Sequence, residues 1–296
     1  MSETQQRTEE WYNARRGKLT ASNLGSLLGL VSWCSRKEAY KRVLGAEKEA
    51  RNPVNHFGNR ACEWGTVHER DGILCYMTKT GNIVNATGLH THPKIPWIAG
   101  SPDGFVGADG LIEVKCPYYK KKDNSSRVHA AVPVYYYMQM NALMEITNRQ
   151  WCDYVCWAPE GHAVFRVKRD TDTFEYLMNY YLAIYAAVQN LCENPPPLPC
   201  KERQQIKARI EKAMETTVDL TYWIANINSN PPSRESEEED GDSLHEPKRQ
   251  CLPDEARTEG GDCDGGSSRT RKTLCGSSGD NSLAEASEAL LAIRHT

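Results

Sequence analysis

The stretch from Ala99 to Pro117 reads A-G-S-P-D-G-F-V-G-A-D-G-L-I-E-V-K-C-P, and it constrains the fold of this chain more than any other. Residues two apart on a strand share a face, so Glu113 and Lys115 project together while Ile112, Val114 and Cys116 point into a core. The segment Gly107-Ala108-Asp109-Gly110 has the turn chemistry to reverse the chain. It predicts a strand around Asp103 running antiparallel beside the strand of Glu113. Asp103 then lies close to Glu113. Two carboxylates held together repel unless a cation sits between them, and hard oxygen ligands suit Mg²⁺, with Mn²⁺ as a substitute, rather than zinc. A lysine beside such a cation can orient an attacking water and offset charge, as phosphodiester hydrolysis requires. Taken alone, a Glu-x-Lys triplet is as often an exposed charge pair on an ordinary hairpin.

Three further blocks accompany the hairpin: E-W-Y-N-A-R-R-G-K-L-T-A-S from Glu10 to Ser22, W-G-T-V-H-E from Trp64 to Glu69, and Y-M-Q-M-N from Tyr137 to Asn141. Together with S-P-D-G and I-E-V-K-C-P, in this order, they resemble the PD-(D/E)xK nucleases, in the branch of phage lambda exonuclease and YqaJ-type viral recombinase nucleases. The resemblance covers roughly Glu10 to Trp157. It implies an α/β (α+β) fold with a restriction-endonuclease-like core, a central mixed β-sheet flanked by helices. It also implies a 5′→3′ exonuclease on double-stranded DNA ends, serving viral-type recombination, replication or repair, with a single-strand annealing protein as a candidate partner. Carried over residue by residue, it makes Glu69, Asp103, Glu113 and the backbone carbonyl of Val114 metal ligands, with Lys115 orienting the attacking water. Gln139 becomes the glutamine near the active site, and Arg15, Ser22 and Ser101 the contacts to a terminal 5′-phosphate. Where relatives often show a second glutamine, this chain has the shorter Asn141.

Charge alone does not point to DNA. Residues 231–296 hold 8 Lys and Arg against 15 Asp and Glu, leaving 28 against 24 in residues 1–230, so a net charge of −3 conceals a mildly basic body and an acidic tail. We expect a nuclease domain over residues 1–230 and an acidic, low-complexity, disordered tail over 231–296, with a segment at Ser282–Ile293 that forms a transient or partner-induced helix. The 11 cysteines, an odd number with no C-x-x-C pair, read as reduced intracellular thiols. Cys152 and Cys156 are the only close pair, which argues against an iron–sulfur cluster. With no apolar run of membrane-spanning length, the expectation is a soluble intracellular protein, in the nucleus or in a virus-infected cell.

Taken in order, Thr8 predicts an N-cap for a helix carrying Trp11 and Arg15, whose spacing of four puts both on one face, Arg15 turned inward. Thr20 or Ser22 opens the helix through Leu24, Leu27 and Leu28, and Ser22 there either caps or helps bind an anion. Ser35 and Glu38 form a capping box for a helix Arg36–Leu44 ended by Gly45, followed by a polar loop over Glu47–Asn55. From Asn59 to Tyr76 the apolar spacing predicts a helix containing Glu69, with His68 at best supporting the site from behind. Short strands over Asn82–Leu89 and Ile95–Ala99 lead to the hairpin. Tyr118-Tyr119-Lys120-Lys121-Lys122 combines aromatic surface with three adjacent cations, a DNA-gripping loop or a solvated charge run. Pro133 starts a helix running to Ile146, and Trp151–Trp157 with His162–Val167 form a hairpin. Phe174 to Leu191 reads as a core-packing helix, and Lys201–Ile227 as an amphipathic helical extension that packs on the body or mediates self-association into a homo-oligomer. Two other function classes remain open at this stage: an endonuclease or RNase of the same superfamily, and a non-catalytic DNA-binding module.

Overall fold

Polar side chains at helix ends fix several element boundaries in the structure, a computed structural model that describes residues 6–45, 56–118 and 128–221. Helix α1 (Glu9–Arg15) is capped by Thr8, whose Oγ1 accepts the amide of Trp11 at 3.2 Å. Strand β1 (Leu19–Thr20) runs directly into α2 (Ala21–Leu27), with Thr20 at the cap position. Helix α3 (Arg36–Leu44) has the predicted capping box, the Glu38 carboxylate accepting the Ser35 amide at 2.7 Å, and Gly45 ends it. The long helix α4 (His56–Thr80) extends the predicted one at both ends.

The remaining elements build and cover the sheets. They are β2 (Val84–Asn85), β3 (His90–Thr91), β4 (Ile98–Gly100), β5 (Gly104–Val106), β6 (Gly110–Lys115), α5 (Val134–Thr147), β7 (Trp151–Ala158), β8 (Gly161–Lys168), α6 (Thr171–Gln189), α7 (Cys200–Met214) and β9 (Val218–Asp219). The architecture is α/β. One sheet is mixed, in the order β2-β5-β6-β7-β8-β9, and a small second sheet has the order β1-β4-β3. In the larger sheet β6 and β7 pair in parallel, because the connection between them passes through α5, and its other pairs are antiparallel.

Alternation along β6 and β7 divides the interior in two. Leu111, Cys152, Tyr154 and Cys156 face a large core that includes residues of α2, α3, α5, α6 and α7. Ile112, Val114, Cys116 and Val155 face a smaller one with Tyr76, against which Trp64 and Ile73 of α4 pack. Helix α4 reaches this close through Gly72, where a Cβ would stand 2.5 Å from the Val114 side chain. That approach positions the turn of α4 carrying Glu69.

The strands expected over Asn82–Leu89 and Ile95–Ala99 shorten to β2 and β4, and the C-terminal helix differs more. The extension read as a helix over Lys201–Ile227 ends at Met214, and after the β-branched Thr216-Thr217 the chain pairs as the edge strand Val218–Asp219 on β8. The loop Glu47–Asn55, the lysines 120–122, the tail and the segment Ser282–Ile293 lie outside the described residues. Among the described residues no helix is long and apolar enough to cross a membrane.

Candidate active site

The hairpin delivers its two carboxylates together. Gly104 pairs with Ile112, so Asp103 and Glu113 stand opposite one another at the mouth of the β5–β6 ladder. Asp103 Oδ2 accepts the Val114 amide at 2.7 Å. Glu113 is 1% exposed, and its Oε1 accepts from the Lys115 ammonium and, at 2.5 Å, from the Gln139 amide of α5. Its Oε2 is buried without a hydrogen-bond partner. Burial raises the Asp103 pKa well above the carboxylate range, and the charge of Glu113 raises it further. Burial likewise raises that of Glu113, against the pull of Lys115. Burial alone would lower the Lys115 pKa, but the charges of Glu113 and Asp103 outweigh it and raise it, so Lys115 is a fixed cation and a donor rather than a base. The Tyr136 ring lies 4.9 Å from the Lys115 ammonium.

Glu69 approaches from α4, near enough that its charge raises the pKa of both Asp103 and Glu113. Its own carboxylate is ion-paired to Arg7, a partner that sequence spacing gave no reason to expect. His68 points elsewhere: Nδ1 meets Asp71 at 2.7 Å and the ring lies between Trp64 and Trp157. Among the described residues no three His, Cys, Asp or Glu side chains are drawn together as a ready metal cage. The donors nonetheless fit a hard divalent cation in kind, since Asp103 and Glu113 stand side by side with raised pKa values, Glu69 lies within electrostatic reach of both, and one buried oxygen lacks any donor. Asn141 does not reach this site. Its amide is clamped to the backbone of Asp170, donating and accepting at 2.8 Å, which pins the entry to α6.

The second predicted cluster assembles through strand register. Thr20 of β1 pairs in parallel with Ala99 of β4, so Ser22 and Ser101 each lie two residues past that pair, and Asp103 two residues beyond Ser101. Arg15 donates to the hydroxyls of Thr20 at 3.3 Å and Ser22 at 3.4 Å, with its guanidinium 4.1 Å from the Trp11 ring centre. The Trp11 indole N–H donates to Ser101 at 2.9 Å. Arg15 and Ser22 are therefore neighbours, while Ser101 joins them through Trp11, whose bridging role was visible in the sequence only as the four-residue spacing to Arg15. Burial lowers the Arg15 pKa to about 10, and no carboxylate among the described residues lies within ion-pair reach of it.

Residues 10–150 match the family model of the YqaJ-like viral recombinase domain, a span that runs from the start of the Arg15 block past Gln139. This span is similar to the YqaJ-like viral recombinase domain. The chain is similar to viral proteins: an uncharacterised protein of Acanthamoeba polyphaga mimivirus, 25% identical over 51% of this chain and 29% of that protein, and an African swine fever virus protein, 27% identical over 47% and 45%. The chain thus spans less than half the length of these viral relatives. Among solved structures, an alkaline exonuclease from Laribacter hongkongensis is 29% identical with a TM-score of 0.48, covering 69% of this chain and 99% of that one. A phage-related exonuclease from Haemophilus somnus is 15% identical with a TM-score of 0.35, covering 74% and 98%. The residues of the carboxylate site and of the Arg15 cluster, from Trp11 to Gln139, lie within the matched span, and Arg7 lies outside it.

Proposed function

We propose that this chain is a Mg²⁺-dependent deoxyribonuclease that acts as a 5′→3′ exonuclease on double-stranded DNA ends, in recombination, replication or repair of a viral type. The observation that carries this reading is the buried, partnerless Oε2 of Glu113, a carboxylate within electrostatic reach of Asp103 and Glu69 and beside a fixed lysine cation. Asp103, Glu113, Glu69 and the Val114 carbonyl would hold one or two Mg²⁺ ions, with Mn²⁺ as a substitute. The cation supplies a Lewis acid that activates water and stabilises the leaving oxygen. Lys115, charged and aimed along Glu113, orients the attacking water by donation and offsets charge on the phosphoryl oxygens. Gln139 holds Glu113 Oε1 in place and so sets the direction of Oε2. Arg15, a cation with no carboxylate partner among the described residues and flanked by two hydroxyls, takes the terminal 5′-phosphate, with Ser22 adjacent and Ser101 approaching from the Trp11 side. The viral relatives support a setting in virus-infected cells.

Digestion of end-labelled linear duplex with and without Mg²⁺ tests the reading. Nucleotide release from linear DNA only when Mg²⁺ is present, with closed circular plasmid left intact, is the expected result. Cutting of the closed plasmid would make the protein an endonuclease, and tight DNA binding without any cleavage would make it a non-catalytic module.

A further inference from the structure

A large aromatic side chain close to this site is left mostly in water and has no role in the reading above. Trp33, in the loop between α2 and α3, is 64% exposed. The other tryptophans of the described residues are engaged: Trp97 is buried in the large core, Trp64, Trp151 and Trp157 pack against the smaller one, and Trp11 is bonded to Ser101. Single exposed apolar residues are common and need no explanation by themselves. Trp33 differs in where its ring leads. Its edge meets Tyr135 at 4.6 Å and 84°, Tyr135 meets Tyr136 at 4.4 Å and 62°, and Tyr136 lies 4.9 Å from the Lys115 ammonium. The exposed indole is thus two rings away from the cation of the proposed reaction.

The residues around the platform are anchored. Cys34 beside it is buried, Leu30 N donates to Gly25 O at 3.0 Å, and Ser35 caps α3. Arg36 donates to the carbonyls of Leu27 and Pro196, both at 2.9 Å. Tyr135 is fixed from behind, since a Cβ on Gly25 of α2 would stand 3.0 Å from its Cβ. An aromatic face held still in water forfeits little conformational freedom when a flat ligand stacks on it. Helix α2 runs from Ser22, beside Arg15, toward this loop. Its seven residues span about 10 Å at ~1.5 Å each, roughly three base steps of ~3.4 Å.

We infer that Trp33, buttressed by Tyr135, is a stacking platform for a nucleobase within the first three positions of the 5′-ended strand. This rests on the reading of the site as one that holds a DNA end. Stacking uses the π-face that every base has, so the platform is indifferent to sequence. It holds the strand in line between the Arg15 cluster and the carboxylates.

The test uses the full chain in metal-free buffer, so that binding is read apart from cleavage, with 5′-phosphorylated oligonucleotides carrying a frayed end. Trp33→Ala should weaken binding about tenfold, or about 1.4 kcal/mol, within the range of one base–aromatic stack. Trp33→Phe should weaken it less than about threefold, and wild-type tryptophan fluorescence should be quenched to a degree that Trp33→Phe loses. An abasic nucleotide scanned through the first three positions should, at one of them, erase the difference between wild type and Trp33→Ala. Equal binding by Trp33→Ala, or a difference that persists at every abasic position, overturns the platform. Absence of cleavage by the wild type in Mg²⁺ would instead overturn the nuclease reading, and the binding result would still decide the stacking.

Discussion

Two carboxylates on adjacent strands, Glu113 on β6 and Asp153 on β7, are each 1% exposed, yet their surroundings are opposite. Asp153 receives two bonds from Arg166, at 2.7 and 2.8 Å, and a third from the Tyr76 hydroxyl at 2.7 Å, with Arg166 stacked 3.8 Å from Trp151. The Glu145–Arg169 pair behind α5 is closed in the same way, with Thr171 adding a donor. Glu113 shares one oxygen between Lys115 and Gln139, leaves the other unpaired, and faces two more acids. A buried charge kept for structure is closed off by its own partners, because an unmatched one costs several kcal/mol. A charge deficit left standing in a mouth points to a ligand that completes it.

The strongest way to break this contrast is catalytic. Asp103→Ala or Glu113→Ala should reduce cleavage of linear duplex by roughly 1,000-fold or more, since the cation stabilises reacting charge by several kcal/mol. DNA binding should remain measurable. Turnover near the wild-type rate in either variant would remove both residues from the site.

Isosteric removal of charge should act with opposite signs at the two positions. Asp153→Asn strands Arg166 and should cost roughly 2–3 kcal/mol in denaturant unfolding, at or below the bottom of the ~3–5 kcal/mol range for opening a buried pair, because Arg166 keeps 33% of its side-chain surface in water. Glu113→Gln relieves repulsion by Asp103 and Glu69 and should stabilise the metal-free protein by on the order of 1 kcal/mol. Losses of equal size at both positions would erase the distinction between them.

The same contrast has a pH signature. The folded pKa values of Asp103 and Glu113 lie above their unfolded ones, so the native state binds more protons and the stability they contribute is lost as pH rises beyond the ordinary carboxylate value of about 4. His92 runs the other way. Burial lowers its pKa to about 4, against the pull of Glu145 and with Arg169 and Lys94 adding to the drop, so its contribution is present above the unfolded value of about 6.5 and lost as pH falls toward about 4. Subtracting the melting curve of Glu113→Gln from that of wild type cancels His92. The remaining gap should widen with pH in chelator, and saturating Mg²⁺ should close it by stabilising only the wild type. A gap flat across pH would mean that the acids share no deficit.

Short-range chemistry was the legible part of the sequence. The Ser35–Glu38 capping box, the Gly107–Gly110 reversal and the Glu113/Lys115 alternation each act over a few residues, and each predicted the element found. What depended on distant partners could not be read. Arg7 reaches Glu69 and Trp11 reaches Ser101 only because the fold closes sequence separations of 62 and 90 positions. Asn141 sits in a block that resembles an active-site motif, yet its amide secures Asp170. The helix expected to run on to Ile227 stops at Met214 because β8 offers an edge for Val218 to pair with, which no local pattern announces.

The last prediction concerns the complementary imbalance, a cation short of an anion. Arg166 has Asp153, whereas Arg15 has two hydroxyls and an indole face, and burial lowers its pKa to about 10. At neutral pH it remains charged, so the site stands ready for an anion. A terminal 5′-phosphate carries more negative charge than an internal phosphodiester, and a charge-assisted hydrogen bond to it contributes about 1.5–3 kcal/mol. The wild type should therefore cleave 5′-phosphorylated ends roughly tenfold faster than 5′-hydroxyl ends at low salt and limiting enzyme, about 1.4 kcal/mol being tenfold. Arg15→Ala should lose that preference and keep slow, metal-dependent cleavage of both substrates, because the carboxylates do not bond to Arg15. Arg15→Lys should recover only part of it, a point charge lacking the planar fork. Equal wild-type rates on the two ends would leave Arg15 as packing for Trp11 and move the reading toward an endonuclease.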